Sequence, residues 1–417
     1  MNIRPLIVSH YDISGGAARA GYRLTQALRE QGIDAMMLVA KKMSDKPFVL
    51  ASSTRYQRAV AALVPRISRT LMSLQKTTNS TRHSANWWPG IVSERIEESD
   101  ADVINLHWIN NETLTIKQIG RIRKPVVFTL HDMWAFCGAE HLSPDSSSSR
   151  FRRGYLSGNR PERHTGLDLD RWTWRRKKRY WQDPRHVICP SRWLARCARE
   201  SLLMRDWPVH VVPNVLDVKQ FQPLNKAFCR QALGLPPDIP LVGFGAAGVD
   251  YNKGYDLLTG ALKVLADEKG LMGLECVVFG QAPAHGFSDV SFPVRFLGRL
   301  HDDFSLALLF NAVDVVVVPS RQENLPQMAT EPQACGTPVV AFNAAGLPDA
   351  VEHETTGYLA KPFLVESLAE GIFWVLKDPS HHRRISVAAR ERAVRLWSAE
   401  VVLPQYLDTY KRAMNYG

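Results

Sequence analysis

Pro319 to Pro338 reads PSRQENLPQMATEPQACGTP. It follows the apolar run Val315-Val316-Val317-Val318 and precedes Val339-Val340-Ala341, so a buried strand runs into a loop and helix before a second buried strand begins. Such a unit predicts a doubly wound α/β sheet, where ligands sit at the carboxyl ends of parallel strands and helix amino ends point at them. Pro326 suits the first helical turn, where a missing N–H costs nothing. Glu323 falls in the loop and Glu331 on the helix, so the two carboxylates reach different parts of an elongated ligand rather than share a proton. That argues for hydroxyl recognition and against a paired-carboxylate glycosidase site. Exposed amides at Asn324 and Leu325 would add donors, and a sugar joined to a ribose is the ligand suggested. The other reading of the two acids is a solvated helix start, favoured by the dipole.

Working outward, the chain of 417 residues is 45% apolar, enough for two cores. No apolar run approaches the roughly 18 residues of a membrane span. Ile3 to Val8, broken by Arg4 and Pro5, predicts a first strand rather than a signal peptide. Six cysteines, at 137, 189, 197, 229, 276 and 335, form no C-x-x-C pair and are expected to be reduced core residues of a cytoplasmic protein. The net charge of +11 is local. Basic residues outnumber acids three to one from Arg150 to His186, and Lys46 to Ser93 has no acid. This predicts one surface for an anionic partner.

In the first half, Pro5 to Ser9 predicts a strand, Ser14-Gly15-Gly16-Ala17-Ala18 a loop, the stretch to Glu30 a helix and Ile33 to Val39 a strand. Glycines there let backbone approach a phosphate, although the dinucleotide fingerprint G-x-G-x-x-G cannot be written onto them and a Gly pair after a strand is more often a plain tight turn. Ala59 to Lys76 predicts a basic amphipathic helix with Val60, Leu63, Ile67, Leu71 and Leu74 on one side. Packing of that side on the sheet is preferred over a lie in an anionic membrane interface. The strands Asp102 to Leu106 and Val126 to Leu130 end in His107-Trp108 and His131-Asp132-Met133-Trp134, rings and imidazoles placed for a sugar. Arg171 to Trp181 reads RWTWRRKKRYW. Trp172, Trp174, Arg175, Arg176, Lys177 and Lys178 are its candidate contacts for a membrane surface or a single-stranded nucleic acid, against a solvated helix face with buried rings. Asp168-Leu169-Asp170 has a metal-holding form but is read as solvated charge.

In the second half, Leu241 to Ala246 predicts a strand, Gly245 to Gly254 a glycine loop ending in Lys253, and Tyr255 to Lys269 a helix. A compact ammonium at a helix start suits a diphosphate. Leu274 to Gly280 and Val294 to Leu297 predict strands, His301-Asp302-Asp303 a helix cap, and Leu364 to Leu376 and Ser380 to Met414 helices, the last broken near Pro404.

The central stretch resembles the E-x7-E signature of retaining glycosyltransferases of family 4, which have the GT-B fold. Pro319-Ser320 and Cys335-Gly336-Thr337-Pro338-Val339 match it too. The resemblance implies contact of Glu323 with the transferred sugar and of Glu331 with ribose hydroxyls. Thr129-Leu130-His131-Asp132 is similar to the family's T-x-H-D motif, which would put His131 near the donor sugar. Gly15-Gly16-Ala17 is similar to its loop near the donor phosphates, Lys253 to the Lys of G-R-x-x-x-x-K-G, and Gly298-Arg299-Leu300 to the loop that holds the base. Cys189-Pro190-Ser191-Arg192-Trp193-Leu194, Pro213-Asn214-Val215-Leu216-Asp217 and Gly346-Leu347-Pro348-Asp349 match further segments. Asn105-Leu106-His107-Trp108-Ile109-Asn110 and Met133-Trp134-Ala135-Phe136 resemble a branch making bacterial surface polysaccharides. The chain departs from the pattern in five places: the usual Arg is Gly248, Pro332 stands for Ala inside the Glu331 helix, Val215 replaces the usual Gly, Asp349 stands for the common Glu, and the branch's further cysteines are missing.

The expectation is an α/β GT-B protein of two Rossmann-like doubly wound domains facing a cleft: 1–213 on the acceptor side, 214–395 for the nucleotide-sugar, and 396–417 a helix crossing back. It implies retaining transfer of a sugar from a nucleotide-sugar to a hydroxyl of a lipid-linked glycan in exopolysaccharide or O-antigen-type synthesis, with no cofactor and no metal. Partners would be the donor, the glycan acceptor and the anionic inner face of the plasma membrane. The rivals are an epimerase on the same fold, a degenerate nucleotide-sugar binder, and a nucleic-acid-binding protein, which leaves the cleft motifs unexplained.

Overall fold

The computed structural model describes residues 3–415 except 52–54, 91, 248–249, 269–272, 282–289, 291 and 301; the side chains of 55–62, 246–247 and 268 are also outside the description. Gly248, where the family Arg is replaced, and His301 therefore lie outside the described residues, as do the side chains of Arg58 and Val60. The chain divides into two compact units, Met1–Val215 with Val402–Gly417, and Leu216–Val401.

The first unit is built on strands β1 (Pro5–Tyr11), β2 (Met36–Lys41) and β3 (Val49–Ala51), with β4 (Gln75–Lys76) outside the main sheet. Then come β5 (Val103–Leu106), β6 (Val126–Thr129), β7 (Thr165–Gly166), β8 (His186–Cys189) and β9 (Val209–Val211). Seven strands make a parallel sheet in the order β3-β2-β1-β5-β6-β8-β9, while β4 and β7 pair as a small antiparallel ribbon. The strand order reverses between β1 and β5, the switch point of a doubly wound sheet. Strands β5, β6 and β8 are buried along their whole length, as near-continuous apolar runs covered on both faces should be. Ser191 starts the following helix, Arg192–Glu200, by accepting from Leu194 N at 3.1 Å. The edge strands β3 and β9 are three residues each and too short to show a period in sequence.

The second unit adds β10 (Leu241–Ala247), β11 (Glu275–Gln281), β12 (Val294–Phe296), β13 (Val315–Val318), β14 (Val339–Phe342) and β15 (Gly357–Ala360). They form a six-stranded parallel sheet in the order β12-β11-β10-β13-β14-β15, reversing between β10 and β13. The four valines of β13 are each 4% exposed or less. Burying such a side chain contributes about 1.5–3 kcal/mol. The helix after β13 is Gln327–Ala334; Pro326 is its cap rather than a first-turn residue, and Pro332 lies inside it. The C-terminal helical stretch breaks at Ser398, between Pro379–Trp397 and Ala399–Met414, whereas Pro404 is accommodated within the second helix. All six cysteines are buried and unpaired, and burial pushes their thiols up.

Candidate functional site

Both switch points carry residues singled out from the sequence. In the second unit, the loop after β10 ends in a turn, Tyr251–Lys253, and the loop after β13 holds Glu323. The two loops are stitched together. Asn252 Nδ2 donates to Gln322 O at 2.7 Å, Arg321 N donates to Asn252 O at 2.8 Å, and the Arg321 guanidinium reaches Tyr251 O at 2.6 Å and Asp256 at 2.5 Å. Gly254 sits between them at φ +66°, and a Cβ there would lie 1.9 Å from Pro319 O, so only glycine permits the approach.

The stitching brings Lys253 Nζ to 2.5 Å from Glu323 Oε1. The pair is half-buried, and the Glu323 carboxylate raises the Lys253 pKa against the opposing effect of burial. Glu323 O accepts from Gly346 N at 2.8 Å, and a Cβ on Gly346 would meet Asn324 O at 1.7 Å, so that turn also requires a glycine. Asn324 and Leu325 are 8% and 6% exposed. Glu331, on the Gln327–Ala334 helix, is 2% exposed. Gly298, at φ +67°, and Arg299 lie on the exposed loop after β12, with Leu300 half-buried; Gly298 O accepts from Gly280 N at 2.7 Å.

In the first unit, three neighbouring strands carry a histidine at or just past their carboxyl ends: His10 on β1, His107 after β5 and His131 after β6. His107 Nδ1 and His131 Nε2 are 2.9 Å apart, within hydrogen-bond distance. Burial holds the His107 pKa well below the ordinary imidazole range, and holds that of His131 down to about 4. Asp132 is the organiser. It accepts from Trp134 N at 2.9 Å, Trp108 Nε1 at 3.1 Å and His141 Nδ1 at 2.6 Å. Burial works against its charge, but His141 and these donors hold its carboxyl below the usual range. Gly15, at φ +90°, and Gly16 have open space where side chains would be, at the start of the Gly16–Glu30 helix.

A cavity of about 1180 Å³ opens on this end of the first sheet, bordered by the Gly15-Gly16 loop, Trp108, His10 and residues 65–84. The sequence reading missed His10, because it ended the strand at Ser9. The signal was present in the strand-end position that His10 shares with His107 and His131.

The basic aromatic tract is a correction. It forms the Leu169–Tyr180 helix, whose inner face is structural. Lys177 is 0% exposed, its ammonium bonded to the carbonyls of Trp134, Cys137 (3.1 Å) and Gly138 (2.8 Å) and lying 3.8 Å from the Trp134 ring centroid. Arg176 binds Ala85 O at 2.7 Å and Asn86 O at 2.8 Å, and Trp174 is buried. Backbone carbonyls turned inward need donors, and Lys177 supplies them to the 133–138 turn and Arg176 to Ala85 and Asn86. Only Trp172, Arg175 and Lys178 of the six candidates are exposed. Asp168 and Asp170 are not solvated either. Asp168 caps the helix through Arg171 N at 3.0 Å and pairs with Arg150 at 2.7 Å. Asp170 is 5% exposed and accepts from Gln75 Nε2 at 2.7 Å. Burial, and then the Asp170 charge, push the neighbouring Glu140 carboxyl well above its ordinary range.

The earlier helix, Arg55–Met72, is a second correction. Among its described side chains the buried ones are Val64 and Ser68, the latter donating to the buried Glu112 at 2.6 Å. Leu63 and Ile67, expected to pack on the sheet, are 56% and 39% exposed, and Leu74 just beyond is 52% exposed. Among the described residues no group of three His, Cys, Asp or Glu side chains could hold a metal, and no helix is long and apolar enough to cross a membrane.

Comparison with solved structures gives the same architecture. The chain superposes on sucrose-phosphate synthase from Thermosynechococcus elongatus with a TM-score of 0.69 at 19% identity, covering 100% of both chains. Against Anabaena Alr3699/HepE in complex with UDP and glucose the TM-score is 0.67 at 18% identity, covering 98% of this chain and 100% of the other. The fold is GT-B. Among curated proteins it is similar to D-inositol 3-phosphate glycosyltransferases, at 32% identity over 219 residues for that of Segniliparus rotundus and 33% over 223 residues for that of Saccharomonospora viridis. These alignments take in 50% and 49% of this chain and 48% and 50% of the relatives, so the chain spans about half the length of the curated relatives it matches. Residues 14–220 match the model of Glycosyltransferase Family 4, and residues 230–392 that of Glycosyl transferases group 1. With two such models leaving little of the chain unmatched, and the family's signature acids standing at a switch point of the expected sheet, the chain belongs to glycosyltransferase family 4.

Proposed function

We propose that the protein transfers a sugar from a nucleotide-sugar to an acceptor hydroxyl with retention of configuration. The observation that carries this is the convergence of Lys253 and Glu323, from loops on either side of the second switch point, at 2.5 Å. One ammonium and one carboxylate at such a point suit the two ends of the bond that breaks. Lys253 meets the departing diphosphate, and Glu323, with His131, orients the sugar as positive charge develops at its C1. Glu331 takes the ribose hydroxyls and the Gly298-Arg299-Leu300 loop the base, with Gly15-Gly16 beside the phosphates. In same-face transfer the C1–O bond to phosphate breaks, the acceptor oxygen bonds to C1, and its proton passes to the departing phosphate oxygen. No separate general base is required.

The acceptor is a glycan, lipid-linked, in assembly of a bacterial surface polysaccharide. The curated relatives are named for inositol phosphate, so their acceptor is not carried over to this chain. The enzyme works at the anionic inner face of the plasma membrane, which the exposed Leu63, Ile67 and Leu74 beside Arg66 and Arg69 would meet.

The test is a thermal-shift screen against common nucleotide-sugars and their free nucleotides, repeated on Lys253→Met and Glu331→Ala. One nucleotide-sugar should raise the melting temperature of the wild type and do so much less in both variants. A cooperative melt unmoved by every nucleotide and nucleotide-sugar would overturn the reading.

A further inference from the structure

The turn that presents Lys253 is not anchored by a core side chain of its own. Tyr251 is 64% exposed, and Asn252 and Lys253 are only half-buried. The loop after β13 holds the turn in place, and the links gather at Arg321. Its backbone N–H donates to Asn252 O at 2.8 Å. Its guanidinium donates to Tyr251 O at 2.6 Å and grips Asp256 with both prongs, Nη1 to Oδ1 at 2.9 Å and Nη2 to Oδ2 at 2.5 Å. The same group lies over the Tyr251 ring, 3.6 Å from its centroid. A planar fork can meet a carbonyl, a carboxylate and a ring face together, whereas a lysine ammonium is a point charge without that geometry.

Asp256 lies in the first turn of the helix Tyr255–Glu268, so Arg321 fastens the turn to this helix as well as to its own loop. The hydrogen bonds from Arg321 hold the Asp256 carboxyl below its ordinary range, which keeps the pair formed at neutral pH. The guanidinium is thereby committed within the protein, and its influence on a ligand runs through what it holds. Glu323 follows closely in the same loop, and Gln322 O accepts from Asn252 Nδ2 at 2.7 Å. Lys253 Nζ and Glu323 Oε1, 2.5 Å apart, therefore stand on two stretches of backbone whose register Arg321 fixes. An ion pair with a half-exposed acid adds little to global stability, so the link acts on the turn.

We propose that Arg321 is a positioning residue, holding the Tyr251–Lys253 turn so that the Lys253 ammonium meets the outer phosphate of a nucleoside diphosphate. This rests on the glycosyltransferase reading above. In that reading Glu323 faces the sugar, so the ammonium beside it faces the phosphate to which the sugar is joined.

UDP, GDP and ADP are titrated calorimetrically into the full chain beside UMP, GMP and AMP. The readout is the ratio of diphosphate to monophosphate affinity for the base that binds. A monophosphate lacks the outer phosphate, so the ratio follows the Lys253 contact and not the general soundness of the fold. The wild type should prefer the diphosphate about tenfold or more, and Lys253→Met should remove most of that preference. Arg321→Met should lower the ratio about three- to tenfold, with monophosphate affinity and melting temperature close to wild type. Arg321→Lys should lower it nearly as far, because charge alone does not restore the fork. In the Lys253→Met background, Arg321→Met should change the ratio no further, since a residue that acts through Lys253 has nothing left to position. An equal drop with and without Lys253 overturns the proposal. So does an early melt of both Arg321 variants, which would make the arginine a general support. Nucleotide binding whose diphosphate preference is absent, or is unmoved in Arg321→Met, defeats the positioning role alone. No nucleotide binding by the wild type defeats the glycosyltransferase reading and this role with it.

Discussion

Acidification from about pH 7 to about pH 5 is expected to destabilise the first unit steeply, because its strand-end histidines stay neutral when folded. An unfolded histidine takes up a proton near pH 6.5. In the folded protein burial delays that uptake to about pH 3 at His10 and about pH 4 at His131, with His107 shifted in the same direction. Between those limits the unfolded chain binds more protons than the native one, so stability is highest above about pH 6.5 and falls as pH drops. Each such group contributes a slope of about 1.4 kcal/mol per pH unit, so His10 and His131 together remove about 4 kcal/mol between about pH 6.5 and pH 5. Against a typical total of about 5–15 kcal/mol that is a large share. The assay is urea unfolding at stepped pH followed by tryptophan fluorescence, since most of the eleven tryptophans lie in the first unit. His131→Gln should lower the slope by about one proton's worth. A midpoint flat across this range, or a slope unchanged in the variant, would refute the assignment of neutral buried imidazoles.

Two other outcomes follow from the corrected helices. Lys177→Met keeps the apolar stem but strands three inward carbonyls, and should lower stability by about 3–5 kcal/mol in urea unfolding; wild-type stability would mean that the ammonium is not what satisfies them. Leu63→Ser with Ile67→Ser should weaken sedimentation with anionic liposomes, and added salt should weaken that of the wild type, whereas equal binding to neutral vesicles would rule out the Arg55–Met72 helix as an electrostatic membrane contact.

The central unit of the second sheet was legible because each level agreed: a valine run for a doubly covered strand, a proline at the helix start, and a glycine before the next strand. Gly254 followed the same logic, although the sequence could not show that its neighbour across the gap is Pro319 O. The first unit was read less well where function and packing use the same residue types. A run such as RRKK looks like solvent-facing charge, and nothing in its period marks Lys177 as the residue that meets three carbonyls from a distant turn. The apolar stripe of the Arg55–Met72 helix misled in the opposite sense. Ser68 and Val64 face inward because Ser68 has a buried acid to bind, so Leu63 and Ile67 are turned out. Asp170 escaped because a long-range hydrogen bond to Gln75 defines it, and sequence spacing carries no trace of that, whereas His10 escaped because the strand was ended one residue short of it.

On the proposed function, the Lys253–Glu323 contact would set an order of events: an arriving diphosphate would have to draw Lys253 away from a carboxylate 2.5 Å off before that carboxylate could turn to a sugar hydroxyl. A free monosaccharide brings nothing to exchange for the ammonium and meets a carboxylate already engaged. In that reading the pair would act as an interlock, coupling recognition of the sugar to arrival of its leaving group and guarding the loop against unactivated sugars.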